Sequence, residues 1–261
     1  MYVAEAGQGR PLILLHGWSS HGGYFAPQME GLREHFHMLC PDLPGHRNSV
    51  APLAELTIPQ LADGLYRLIA ERGISNAILV GWSMGAMVAF DYIARYGSTA
   101  LAGLVIEDMT VRIVNDAGWH FGIRNGFDAA QSEGAVQAMR SDWPSYAHGS
   151  LPRLFARAMP PDRELLSWAA AEIAANDGRA MAALWQSMAE QDFRWLLPQL
   201  QIPVLLLHGG DSQLYEPAVH RWISERIPNA RRLCLERAGH SPHLECPAEF
   251  NAALTAFAMS L

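Results

Sequence analysis

The chain contains no lysine: all 19 basic residues are arginine, scattered along 261 positions, against 26 acidic ones, for a net charge of −7. Without a basic cluster, neither a nucleic-acid groove nor a polybasic membrane anchor is expected. Charge of either sign is sparse at 17%, while half of the residues are hydrophobic. That balance excludes a disordered, collagen-like or coiled-coil chain and leaves ample material for a core. No apolar run approaches the roughly 20 residues that span a bilayer. The start, Met1-Tyr2-Val3-Ala4-Glu5, lacks the charged and apolar regions of a signal peptide. A cytoplasmic protein with no membrane partner is the expectation. Cys40, Cys234 and Cys246 are odd in number and far apart, with no C-x-x-C, and so read as reduced thiols.

What is present is a rhythm. Short apolar runs at residues 11–16, 37–42, 76–82, 101–108, 203–208 and 231–237 alternate with helical spacing at 58–72, 84–96, 216–226 and 247–257. In the first of these helices Leu61, Leu65, Leu68 and Ile69 share one face. The alternation predicts an α/β fold with a mostly parallel, doubly wound sheet, whose active edge is the carboxyl end of the strands. From Val111 to Leu200 no β-type run occurs. Trp119, Trp143, Trp168, Trp185 and Trp195 are spread through Ala-rich sequence there, broken by Pro152, Pro160, Pro161 and Pro198. The expected organisation is a core of residues 1–110 and 199–261 with a helical lid at 111–198 over the active edge.

Gly81-Trp82-Ser83-Met84-Gly85 joins a buried strand to a helix as G-x-S-x-G, the pattern of a nucleophile elbow. A serine on so tight a turn adopts a strained conformation, and the flanking glycines remove the clashes that would forbid it. A dinucleotide loop is the competing reading, with Glu107-Asp108 as the ribose ligand, but that motif wants glycine where Ser83 stands. Leu15-His16-Gly17-Trp18 ends an early strand, from which the Trp18 amide, with that of Met84, can form an oxyanion hole. His16 reads as a brace for this loop. Near the carboxyl end, Ala238-Gly239-His240 supplies a general base after the last strand. His243 lies three residues on, but without helical H-E-x-x-H spacing or Cys ligands no metal site is expected.

With Pro41-Asp42-Leu43-Pro44-Gly45-His46, these stretches resemble the serine esterase branch of the α/β-hydrolase family. They look most like the biotin-pathway carboxylesterases that cleave pimeloyl methyl ester. Similar patterns occur in enol-lactonases and metal-free perhydrolases. The resemblance implies the α/β-hydrolase fold, a Ser-His-Asp triad, no cofactor and an acyl-enzyme route. The triad acid follows either of two strands, and both places hold an aspartate. Asp211 lies in Gly209-Gly210-Asp211-Ser212, where members commonly show G-x-x-D, so the register is off by one. Asp108 ends the strand after the nucleophile helix, the location used by some haloalkane dehalogenases, and is favoured over Asp211. Glu107 should face the other way along its strand.

The expected activity is therefore hydrolysis of small to medium apolar carboxylic esters, with a lactonase or perhydrolase as the alternatives and a non-catalytic binding protein as the remote one. Trp82, Met109, Trp119, Phe121, Met159 and Trp185 are the candidate substrate-binding residues. Arg124, Arg140, Arg153 and Arg157 read as solvated lid charge rather than a docking site for an acidic acyl-carrier protein, a partner that the net charge of the chain also opposes.

Overall fold

The computed structural model describes residues 1–261. Seven strands, β1 (Val3–Ala6), β2 (Arg10–Leu15), β3 (Phe36–Pro41), β4 (Ala77–Trp82), β5 (Leu101–Glu107), β6 (Val204–Gly209) and β7 (Ala230–Leu235), form one sheet in the order β1-β3-β2-β4-β5-β6-β7. Only β1 runs antiparallel to its neighbour; every other pair is parallel. The other six follow the apolar runs of the sequence closely. β1 escapes that reading because it is a four-residue edge strand with no fully buried position.

The helices are α1 (Ala26–Leu32), α2 (Ile58–Glu71), α3 (Met84–Tyr96), α4 (Ala129–Ser141), α5 (Trp143–Ser150), α6 (Arg163–Ala174), α7 (Gly178–Ala189), α8 (Pro217–Ser224), the single turn α9 (Pro242–Glu245) and α10 (Pro247–Met259). None is long and apolar enough to cross a membrane. Successive strand side chains point to opposite faces, so each central strand feeds two cores. In β4, Ala77 and Leu79 pack with Leu61, Leu65, Val88 and Val219 of α2, α3 and α8. Ile78, Val80 and Trp82 pack the other way, against Leu32 of α1 and Phe250, Leu254 and Phe257 of α10. Each of the larger aliphatic and phenylalanine side chains, removed from water, contributes roughly 1.5–3 kcal/mol.

No strand lies between β5 and β6, where α4 to α7 are inserted. Each of these helices starts on an aspartate that accepts a backbone N–H of its first turn: Asp128, Asp142, Asp162 and Asp177. At Asp128 the cap is reciprocal, because Gln131 returns a bond to its backbone. Pro152, Pro160 and Pro161 fall between α5 and α6, where the missing N–H groups interrupt the helix. The insertion is tied to the loop after β2 by the Trp18 indole, which donates to Met181 O at 2.9 Å, and by the Asn176 amide, which donates to Ser19 O at 2.9 Å.

Candidate active site

Ser83 stands at the corner between β4 and α3 with φ 52° and ψ −120°, a conformation that only a well-braced site maintains. Its N–H donates to Glu107 O at 3.0 Å and its carbonyl accepts from Ala86 N–H at 2.9 Å. The flanking glycines are there for packing as well as for the turn. A Cβ at Gly81 would lie 2.6 Å from the Ala86 backbone, and one at Gly85 would lie 2.2 Å from Leu15 O. Gly17 sits as close: a Cβ there would come within 3.2 Å of Ser83 Cβ. The loop after β2 thus abuts the serine corner. Within it, the amides of Trp18 and Met84 donate to no protein acceptor; for Met84 this follows from its place as the first residue of α3. His16 braces the loop: Leu43 N–H donates to its Nε2 at 2.8 Å, and its Nδ1 lies 2.8 Å from Gly17 O. Burial pushes the His16 imidazole well below its ordinary pKa, so the ring is neutral in this role.

His240 follows β7 and is buried. Its Nδ1 lies 2.6 Å from Asp108 Oδ2. The Trp82 indole N–H donates to its carbonyl at 2.7 Å, linking the residue before the serine to the imidazole loop. Glu245 holds the same loop by accepting Gly239 N–H and Ser241 N–H on Oε1, at 2.9 and 3.1 Å, and Ala156 N–H on Oε2 at 2.7 Å. Burial pushes the Glu245 carboxyl up to about 7 despite these three donors.

Asp108 is fully buried, has φ 39°, and follows β5 directly. Burial alone would raise its pKa, but the imidazoles of His220 and His240 outweigh that and hold the carboxyl well below the usual range. Oδ2 also accepts the Ser212 hydroxyl at 2.7 Å. Asp211 is elsewhere: its Oδ2 accepts Ala158 N–H at 2.6 Å, in the loop between α5 and α6. Glu107 points away from Asp108 and takes both the N–H and Nδ1 of His243 on Oε1, at 3.0 and 2.8 Å. His240 and His243 are therefore committed to different carboxylates.

The sequence pattern of the alpha/beta hydrolase family matches residues 12–253. The chain belongs to that family. It is 29% identical over 260 residues to the pimeloyl-[acyl-carrier protein] methyl ester esterase of Chromobacterium violaceum, covering 97% of this chain and 96% of that one. In fold, this hydrolase matches an esterase from Exiguobacterium antarcticum with a TM-score of 0.92 at 22% identity, over 99% and 95% of the two chains. An enol-lactonase from Burkholderia xenovorans matches with a TM-score of 0.85 at 22% identity, over 98% and 95%.

Ser83 and His240 of this hydrolase border one cavity, along with Trp18, Trp82 and Trp185; ten of its sixteen lining residues are hydrophobic. Four of the residues expected there lie elsewhere. Met109 is fully buried, with its sulfur 3.1 Å from the Tyr215 hydroxyl. Trp119 donates its indole N–H to Arg112 O and packs edge-on against Trp222, and Phe121 packs beside it. Met159 is 56% exposed and borders a separate groove beside α9 and α10. The cavity instead takes Ile113 and Ile123, four residues after Met109 and two after Phe121, with Tyr146, Leu154 and Met188. Arg153, exposed to solvent, also borders it, whereas Arg124 is paired with Glu216 at 2.9 Å.

Proposed function

We propose that this hydrolase cleaves carboxylic esters through an acyl-enzyme, with Ser83 as nucleophile, His240 as general base and Asp108 as the acid that orients the imidazole. One observation carries the reading: the buried Asp108–His240 contact of 2.6 Å belongs to an imidazole that borders the same cavity as the strained Ser83. With Nδ1–H donating to the ionised Asp108, His240 Nε2 is left as the acceptor for the serine proton. Ser83 Oγ attacks the ester carbonyl while His240 takes its proton. The amides of Trp18 and Met84 receive the oxyanion, and losing one such donor typically costs about 3 kcal/mol of barrier. His240 then protonates the departing alcohol and activates the water that releases the acid. The ionised Asp108 stabilises the imidazolium in both steps.

The apolar lining supports a medium-length acyl group, and the Chromobacterium relative, named for a methyl ester, supports a small alcohol. We infer that residues 111–198 act as the lid that selects the acyl chain. A free small-molecule ester is the first reading, given the net charge of −7. An acyl chain presented by a carrier protein is the second, on the strength of the relative's name alone.

A burst of nitrophenol from a short p-nitrophenyl ester, lost in Ser83→Ala, tests the chemistry. Mass spectrometry should find an organophosphonate on Ser83, and an unreactive intact protein would count decisively against it. Rates with free and carrier-linked methyl pimelate, lactones and peroxide then rank the substrates.

A further inference from the structure

Three buried polar atoms near the acid have no hydrogen-bond partner: Asp108 Oδ1, His208 Nε2 and His220 Nε2. Such groups are costly when left unmatched, so a cluster of them calls for an explanation. The three side chains can bring one ligating atom each within 4.8 Å, which suggests a metal ion. The rings argue against it. His208 and His220 stack with centroids 4.2 Å apart and 10° between their planes. A metal lies in the plane of each imidazole that binds it, about 2 Å from the nitrogen, and two parallel planes so separated share no such point.

A pairwise contact accounts for the geometry better. His220 Nε2 lies 3.2 Å from Asp108 Oδ1, within reach of a hydrogen bond that a small tilt of the ring would align, and neither atom has a hydrogen-bond partner elsewhere. His208 is not the donor: its Nδ1 is 3.2 Å from Gly209 O, which keeps the ring proton there, and burial pushes its pKa down to about 4. Its face packs against the His220 ring instead. We propose that His220 is a positioning residue, whose Nε2–H donates to Asp108 Oδ1 and holds the carboxylate so that Oδ2 meets His240.

The inference rests on the Ser83-His240-Asp108 reading. It adds a fourth group, supplied by α8, on the far oxygen of the acid. A donor there draws negative charge away from Oδ2. Without it, the full charge of the carboxylate bears on the contact with His240, and the pH profile of the reaction reports the loss. Besides Asp108 and His208, the titratable groups around His220 are Tyr215 and, beyond His208, Arg232, Cys234 and Glu236.

NMR of the intact protein with 15N-labelled histidine reads which nitrogen of His220 carries the proton, independently of catalysis. A proton on Nε2 is expected; a neutral ring protonated only at Nδ1 overturns the proposal. His220→Leu keeps bulk without a donor, and His220→Gln keeps a donor. Toward the p-nitrophenyl ester, the Leu variant should lose about tenfold or more in kcat at little-changed KM, with the acid limb of the kcat/KM profile moved to higher pH. The Gln variant should stay within about threefold of wild type. A folded Leu variant with the wild-type rate and profile, or Leu and Gln variants that behave alike, would overturn the assignment. The tautomer decides the contact even if the ester is not cleaved, and inactivity of the wild type would count against the triad reading instead.

Discussion

Ser212 Oγ donates to Asp108 Oδ2 at 2.7 Å, from the loop that follows β6. Counted from Gly209, Ser212 is the position at which G-x-x-D members of the family carry their acid. A hydroxyl therefore stands at the usual place of the carboxylate, and the carboxylate arrives from the neighbouring strand. The two locations are within a hydrogen bond of each other.

The two aspartates should separate sharply on mutation. Asp108→Asn keeps the shape but favours the wrong tautomer of His240, and kcat for a p-nitrophenyl ester should fall by about 10⁴. Asp211→Asn loses only part of an exposed bond to Ala158 N–H and should stay within about threefold. Steady-state kinetics on the two variants check the ranking.

Moving the acid back is a stricter test. Ser212→Asp alone sets a second carboxylate against Asp108 in a buried site, so the variant should unfold at a lower temperature than wild type. Combined with Asp108→Asn the repulsion is removed. The double variant should then regain about tenfold or more over Asp108→Asn alone, measured as kcat.

The fold and the candidate site residues are legible because they follow local rules. Strand and helix periods mark β2 to β7 and α2, α3, α8 and α10, and G-x-S-x-G marks Ser83. The sequence favours Asp108 only through the one-residue shift in the loop after β6, and the placing of Ser212 beside Asp108 has no local signature. Lid contacts were less legible still. Ile123 N–H bonds back to Ile113 O across the turn at Asp116–Trp119, so the isoleucines border the cavity while Trp119 and Phe121 lie against Trp222. No periodicity announces that orientation. His220 and Glu245 sit on helices whose spacing is silent about a distant partner.

Trp119 and Trp185 should accordingly fail in different ways. Trp119→Ala removes a buried ring and should cost about 3–5 kcal/mol of stability, seen in denaturant unfolding, with chain-length preference unchanged. Trp185→Ala opens the cavity and should shift the best kcat/KM toward longer acyl esters.

Glu245 makes stability depend on pH with a definite sign. Its carboxyl rises from 4.5 to about 7 on folding, so the folded state binds the proton more tightly. The associated stabilisation is complete below about pH 4.5 and is lost as pH rises through about 7. Buried neutral histidines such as His46, pushed down to about 4, work in the opposite direction. The difference in Tm between wild type and Glu245→Gln isolates the carboxyl, and it should shrink from pH 5 to pH 8.

Trp18 connects two parts of the molecule through different atoms. Its backbone adjoins the serine corner, while its indole hangs from Met181 O and stands edge-on to Trp143, Tyr146 and Trp185. Under the proposed mechanism, a change in the helices around Met181 would therefore be felt at the loop that carries the Trp18 amide. Replacing those helices as a block would leave the Trp18 indole without its acceptor at Met181 O.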